Sequence, residues 1–393
     1  MTTKTETSER PRLSALTALR FLAALHVLLF HVAALRIHSG TGFYGAFAAT
    51  GYVGVGLFFV LSGFILVYTY EGRSFRAREF WRARFARIYP AYAFALLLAA
   101  PAFFYVCLRT DAPSHVWFRE HFVASVLLVP ALLQAWVPRA ALAWNGPAWS
   151  LSAEAFFYLV FPLLFRVLSS KTKGALFRVC VGAWLVGLAF PVAYLLLDPD
   201  PNSAAAGDQQ ALFWFYAMKF NPLARLPEFV VGMAAGFLFV RKAVPRRWAA
   251  PLVIAGFVTV VLAIVNHRRI PEPVLHNALL APVFAVTIYG LALDSKLSRA
   301  LARPALVLLG EASYSLYLLH VTLLGWFFLP TGTLRQTGPL ELVVGILSPI
   351  VAAVFVFRWI EEPARRRLRG RARNGAPMGE AAHPGVERSE ATS

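Results

Sequence analysis

Apolar runs long enough to cross a bilayer recur along almost the whole of this chain. The first, from Leu13 to Ile37, already exceeds the roughly 20 residues that a transmembrane helix needs. We place spans over residues 13–36, 50–70, 88–108, 149–168, 175–197, 221–240, 248–265, 274–293, 305–328 and 340–360. Composition agrees, since 58% of the 393 residues are hydrophobic and 15% charged. One water-soluble core has no room for so much apolar surface. Inside hydrocarbon every backbone polar group needs a partner within the chain, and no segment here alternates as barrel strands do. The expected fold is an all-α polytopic membrane protein, a bundle of about ten transmembrane helices.

Charge orders these spans. The formal net charge of +18 could speak for a nucleic-acid partner. In a multi-pass membrane protein the bland reading is better: basic segments stay on the cytoplasmic side and fix orientation. With both termini cytoplasmic, most of the 38 Lys and Arg fall on inner segments. Arg268 and Arg269 are an exception, because their hairpin then faces outward. Residues 121–138, "HFVASVLLVPALLQAWVP", are apolar enough to cross, but a crossing there would invert every later basic loop. We read 121–138 as a re-entrant or interfacial segment. The chain divides into a cytoplasmic N-terminus (1–12), a transmembrane domain (13–363) and a disordered, basic and polar cytoplasmic tail (364–393) whose arginines meet lipid headgroups. The start resembles a signal peptide, but its apolar run is too long and lacks a cleavage site, so an uncleaved first helix in the cell membrane is expected.

Ionisable residues inside such spans are costly, and each asks for a reason. The first span carries Arg20, His26 and His31. At about 100° per residue, Arg20 and His31 share one face, about 16 Å apart along the axis, while His26 points elsewhere. Arg20 is deep for a snorkelling side chain. His26 reads as a packed histidine. In "GVGLFFVLSGFIL", Ser62 and Gly63 read as a close-packing surface. The stretch "FWRARFARIYPAY" places Arg82, Arg84 and Arg87 before Pro90, where the third span is expected to begin. This is an ordinary positive-inside loop or a phosphate site; guanidinium forks suit phosphate oxygens, and the loop's cations are all Arg. Glu154, in the fourth span, lies about five residues from its outer end, as His31 does in the first, and a carboxylate there can orient an imidazole. Arg225 and Glu228, three apart, can pair with each other. Glu311 lies at the depth of Arg20 and can neutralise it. Ser313, Tyr314, Tyr317 and His320 give the ninth span a polar face. No metal-ligand cluster stands out.

Taken in order, Arg-x10-His, "FFVLSGF", "RFARIYP", "WSLSAEAFFY" and "SYSLYLLH" resemble the acyltransferase-3 family of integral membrane proteins. The resemblance covers about residues 13–363. It implies an acyl-CoA donor, usually acetyl-CoA, as co-substrate, with no permanently bound cofactor, and transfer to a hydroxyl of a sugar or similar acceptor. It makes Arg20 and His31 the essential pair and Arg84 and Arg87 the family's Arg-x-x-Arg. Some members carry a C-terminal hydrolase-like domain; this sequence is expected to resemble those without one. The expected activity is O-acylation of a glycan, a lipid-linked saccharide or a small hydroxylated metabolite. His31, Arg20 and Glu154 are the catalytic candidates, and Arg84, Arg87 and Arg82 bind acyl-CoA. Ser313, Tyr314, His320 and Glu311 support them. The alternative is a transporter or flippase whose buried ionisable groups carry protons or anions.

Overall fold

A computed structural model of the chain describes residues 11–35, 42–109, 119–200, 212–328 and 338–373. The helices are α1 (Ser14–Leu35), α2 (Gly42–Ala49), α3 (Val53–Tyr70), α4 (Ala77–Arg109), α5 (Phe122–Leu128), α6 (Trp149–Ser169), α7 (Lys173–Leu197), α8 (Phe213–Phe220) and α9 (Pro222–Val240). They continue with α10 (Ala249–Val265), α11 (Glu272–His276), α12 (Ala281–Ala292), α13 (Lys296–Leu301), α14 (Pro304–Glu311), α15 (Ser313–Phe328), α16 (Pro339–Val356) and α17 (Glu362–Arg373). Among the described residues nine helical stretches are long and apolar enough to cross a membrane, or ten if the bent pair α14–α15 is one span. That pair bends by 61°, so the expected span 305–328 is broken. Ser313 Oγ donates to Gly310 O at the break (2.7 Å).

Burial separates centre from rim. Of the apolar window in α3, 67% is buried within the protein, against 11% for α7. The side of α7 that protein does not cover shows Phe177, Leu185, Leu196 and Leu197, as a lipid-facing helix should. α9 packs most extensively on α3. Glycine makes this possible: a Cβ on Gly232 would stand 1.9 Å from Val60 O, and one on Gly63 2.2 Å from Phe229 O. Small residues let two backbones touch where lipid gives no hydrophobic drive to association. Gly63 is thus a packing residue, as its sequence reads.

Two expectations here need correction, while the non-spanning reading of 121–138 stands. The third span does not begin at Pro90: α4 starts at Ala77 and runs through Pro90 and Pro101. The arginine loop is therefore mostly helix, and Arg84 and Arg87, three apart, share a face. Residues 121–138 hold only the short α5 and 3-10 turns, so they do not span. The chain folds back against the bundle, where Tyr92 Oη donates to Val129 O (2.5 Å), Gln134 Nε2 to Ala148 O (3.0 Å) and Asn145 Nδ2 to Leu318 O (3.0 Å). Irregular backbone is tolerated at such depth only when protein satisfies it. Finally, the tail expected from residue 364 is helical as far as Arg373, with Glu362 and Arg366 paired at 2.5 Å one turn apart. Residues 374–393 of that tail, and 1–10 of the N-terminus, lie outside the described residues.

Candidate active site

α1, α3, α4, α6 and the α14–α15 bend surround a cavity holding ≈ 870 Å³ of empty space, part of it open to solvent. Arg20, Arg84 and Arg87 line it together with Ser62, Glu154, Tyr158, Glu311 and Tyr314. Arg20 comes from the first turns of α1, and Arg84 and Arg87 from the common face of α4. Among the described residues none of the three makes an ion pair. The Arg84 guanidinium lies over the Phe80 and Tyr158 rings, 5.7 and 5.8 Å from their centroids, and its buried Nε has no acceptor. At the basic end the cavity runs on through Arg20, Ile65, Arg87 and Glu311 into a wider mouth of ≈ 1070 Å³ that adds Arg12, Arg365 and Glu361. Cations outnumber carboxylates along this path, so it favours an anion.

A ladder of polar contacts climbs away from the arginines. Tyr158 Oη donates to Glu154 Oε1, which Ser62 Oγ also approaches at 3.2 Å. One turn further along α6, Ser150 Oγ donates to Tyr317 Oη (2.8 Å), which donates to Pro147 O (2.9 Å). The Tyr317 ring is 5.9 Å from that of His320. His320 Nε2 lies 3.1 Å from His31 Nδ1.

The carbonyls around the two histidines assign their tautomers. His320 Nδ1 faces Leu316 O at 3.2 Å, and a carbonyl only accepts, so Nδ1 carries the proton. In the neutral ring Nε2 is then the acceptor. His31 Nδ1 faces both that nitrogen and Val27 O (2.9 Å), so it donates. His31 Nε2 is left with its lone pair, the arrangement a general base needs.

Residues 13–358 match the family described as the acyltransferase domain, Acyl_transf_3. The chain belongs to the acyltransferase-3 family. It is 28% identical over 393 residues to acyltransferase MdmB of Streptomyces mycarofaciens, covering 96% of each chain. To the exopolysaccharide production protein ExoZ of Rhizobium meliloti it is 28% identical over 90% of this chain and 100% of the relative. To the peptidoglycan O-acetyltransferase OatA of Listeria monocytogenes it is 26% identical over 92% of this chain but only 57% of that longer protein. No solved structure matches significantly.

The acyltransferase fold gathers some of the sequence-derived candidates and separates others. Arg20, Arg84, Arg87 and Glu154 line one cavity. Arg82 is exposed on α4 and does not line it, because its position is about 200° from that of Arg84. The expected orientation of His31 by Glu154 is not found: the carboxylate meets Tyr158 and Ser62, and the ring partner is His320. Glu154 points into the arginine cavity, so a similar distance from the helix end did not bring the two side chains together. Glu311 lines the cavity with Arg20, but no ion pair joins them among the described residues. Ser313 and Tyr314 both line the cavity; Tyr314 donates to Ile88 O (2.9 Å), and Ser313 also serves the bend. His26 is structural: its Nε2 meets Phe47 O at 2.6 Å and its ring stacks on Phe47, fastening α2 to α1.

Sequence reasoning missed Tyr158 and Glu361. Tyr158 stands four residues after Glu154, a spacing that places both on one helix face. Glu361 ends a π-helical turn, 357–361, and its Oε2 accepts from Ser315 Oγ (2.9 Å). Such turns are frequent at functional sites, but nothing in "FRWIE" announces one.

Proposed function

We propose that this protein moves an acyl group, acetyl in the first instance, from cytoplasmic acyl-CoA to a hydroxyl of a saccharide or glycosylated metabolite. The observation that carries the reading is the arginine-lined cavity, walled by Tyr317 whose ring is 5.9 Å from that of His320, the partner of His31, in a chain of this family. The CoA phosphates meet Arg84 and Arg87, with Arg12 and Arg365 at the mouth, and the thin pantetheine arm enters the cavity. His31 Nε2 takes the proton of the acceptor hydroxyl. The freed oxygen adds to the thioester carbonyl carbon, the C–O bond forms and the C–S bond breaks. The proton passes from the imidazole to the thiolate, and CoA leaves as its thiol. His320 holds the His31 tautomer. Arg20, about 16 Å from His31 along the helix, acts on the donor rather than on the base.

The relatives support the acceptor class. OatA is named for peptidoglycan and ExoZ for an exopolysaccharide. The deciding experiment supplies ¹⁴C-acetyl-CoA to membranes containing the protein and follows label into saccharide fractions, alongside a mass comparison of glycans and secreted metabolites from a deletion strain. We expect loss of an acetyl mass from one class in the deletion. No protein-dependent label, with every acyl mass retained, would sink the proposal.

A further inference from the structure

A separate cavity, ≈ 1070 Å³ and partly open to solvent, lies between the turn that opens α3 and the His267–Glu272 segment. Phe30 and Tyr52 form an aromatic wall; Arg268, Arg269 and Glu272 form a charged rim. Gly51 is what brings this wall together. A Cβ there would stand 2.4 Å from both His26 O and Phe30 Cβ, so only glycine lets the turn press Tyr52 onto α1. The Tyr52 ring is then held on two sides, edge-on to Phe30 (5.8 Å) and stacked on the buried His276 (5.2 Å, 21°). Phe30 in turn meets the His31 ring edge-on at 5.0 Å. Through Phe30 the wall of this cavity reaches the His31 ring, and it shares no lining residue with the donor cavity.

Its charge is positive. Lys219 Nζ lies 2.6 Å from Glu272 Oε1 and neutralises that carboxylate. Arg268 and Arg269 are exposed and make no ion pair among the described residues. With both termini cytoplasmic, as the charge pattern leads us to expect, they also lie where the orientation rule disfavours cations. A rigid aromatic face beside two free guanidinium forks suits a ring with an attached anion.

We infer that this cavity receives the acyl acceptor and that the acceptor is an anionic saccharide. Its sugar ring lies against Tyr52, and its carboxylate or phosphate meets Arg268 and Arg269. The inference rests on the acyl-transfer reading and deepens it. It places donor and acceptor in different cavities, one walled by Tyr317, whose ring is 5.9 Å from that of His320, the other by Phe30, whose ring meets that of His31 at 5.0 Å.

Isothermal titration of the purified protein in detergent tests it, with p-nitrophenyl β-D-glucuronide, glucose 1-phosphate and the neutral p-nitrophenyl β-D-glucoside as probes, and acetyl-CoA titrated separately. We expect at least one anionic probe to bind about tenfold or more tightly than the neutral one, the scale of charge-assisted hydrogen bonds. The R268Q/R269Q variant should lose that preference, R268K/R269K should keep part of it, and acetyl-CoA should bind all three proteins alike. Preference for the glucuronide identifies a carboxylate source, and preference for glucose 1-phosphate a phosphate source; either supports the inference. Equal binding of all probes, or a preference that survives R268Q/R269Q, overturns it, as it would if these arginines only anchored the rim to lipid phosphates. Failure of acetyl-CoA to bind the wild type would instead overturn the donor reading, whatever the saccharide titrations show.

Discussion

Arg225 and Arg84 are both arginines set among aromatic rings in the same bundle, yet their surroundings differ in kind. Arg225 is wholly buried, and its guanidinium lies over Phe59 and Trp149. Its Nη1 donates to His276 O (2.8 Å) and Asn277 Oδ1, and its Nη2 is 2.9 Å from Glu228 Oε2. Glu228 in turn accepts from Ala278 N (3.2 Å), and Asn277 Nδ2 donates to Met218 O (2.9 Å). This network ties α9 to the 276–278 turn. Arg84, with Arg87 and Arg20, faces an open cavity with no ion pair among the described residues. A buried charge must be paired somewhere. In the first cluster the chain itself supplies the partner. In the second no partner from the chain is found among the described residues, so the same residue type is structural in one place and, in our proposal, a binding group in the other.

The largest effect should come at the proposed base. His31→Ala should lower the rate of acyl transfer by about 10²–10⁴-fold, the usual loss with a general base, and leave acetyl-CoA affinity intact. Full activity in this variant would remove the mechanism. Arg225→Leu attacks the closed cluster and leaves Glu228 buried without its cation. Thermal stability in detergent should fall by about 3–5 kcal/mol, with any protein that still folds showing an unchanged donor KM. A stable Arg225→Leu protein with a raised donor KM would erase the distinction between the clusters. Arg84→Gln with Arg87→Gln reverses those expectations. Donor KM should rise by about 10–100-fold, the worth of one or two charge-assisted hydrogen bonds, while the melting temperature hardly moves. The smallest effect belongs to His26→Ala, which should cost about 1–2 kcal/mol through the lost Phe47 contact, with kcat retained. If His26→Ala is inactive while His31→Ala works, the assignment of roles within α1 is reversed.

What the sequence by itself determined is local. Long apolar runs dictated helices, because hydrocarbon offers the backbone no other partner. Basic segments gave an expected orientation, and the eleven-residue step put Arg20 and His31 on one face of α1. Gly63 and the Arg-x-x-Arg stretch were visible for the same reason: helical spacing is a property of the chain itself. The folded structure decided which faces meet. His31 and His320 are 289 residues apart, and the partner that fixes the His31 tautomer was noted in sequence only as a polar group of the ninth span. Glu154 lies near one end of its helix, as His31 does, yet it turns toward Tyr158, because distance along an axis does not set azimuth around it. The short α5 and its 3-10 turns, the bend at Ala312 and the π turn before Glu362 likewise depend on tertiary hydrogen bonds and packing rather than on local propensity. Depth in the membrane can be read from one helix alone, but contact requires the rotation of two, and only packing fixes that rotation.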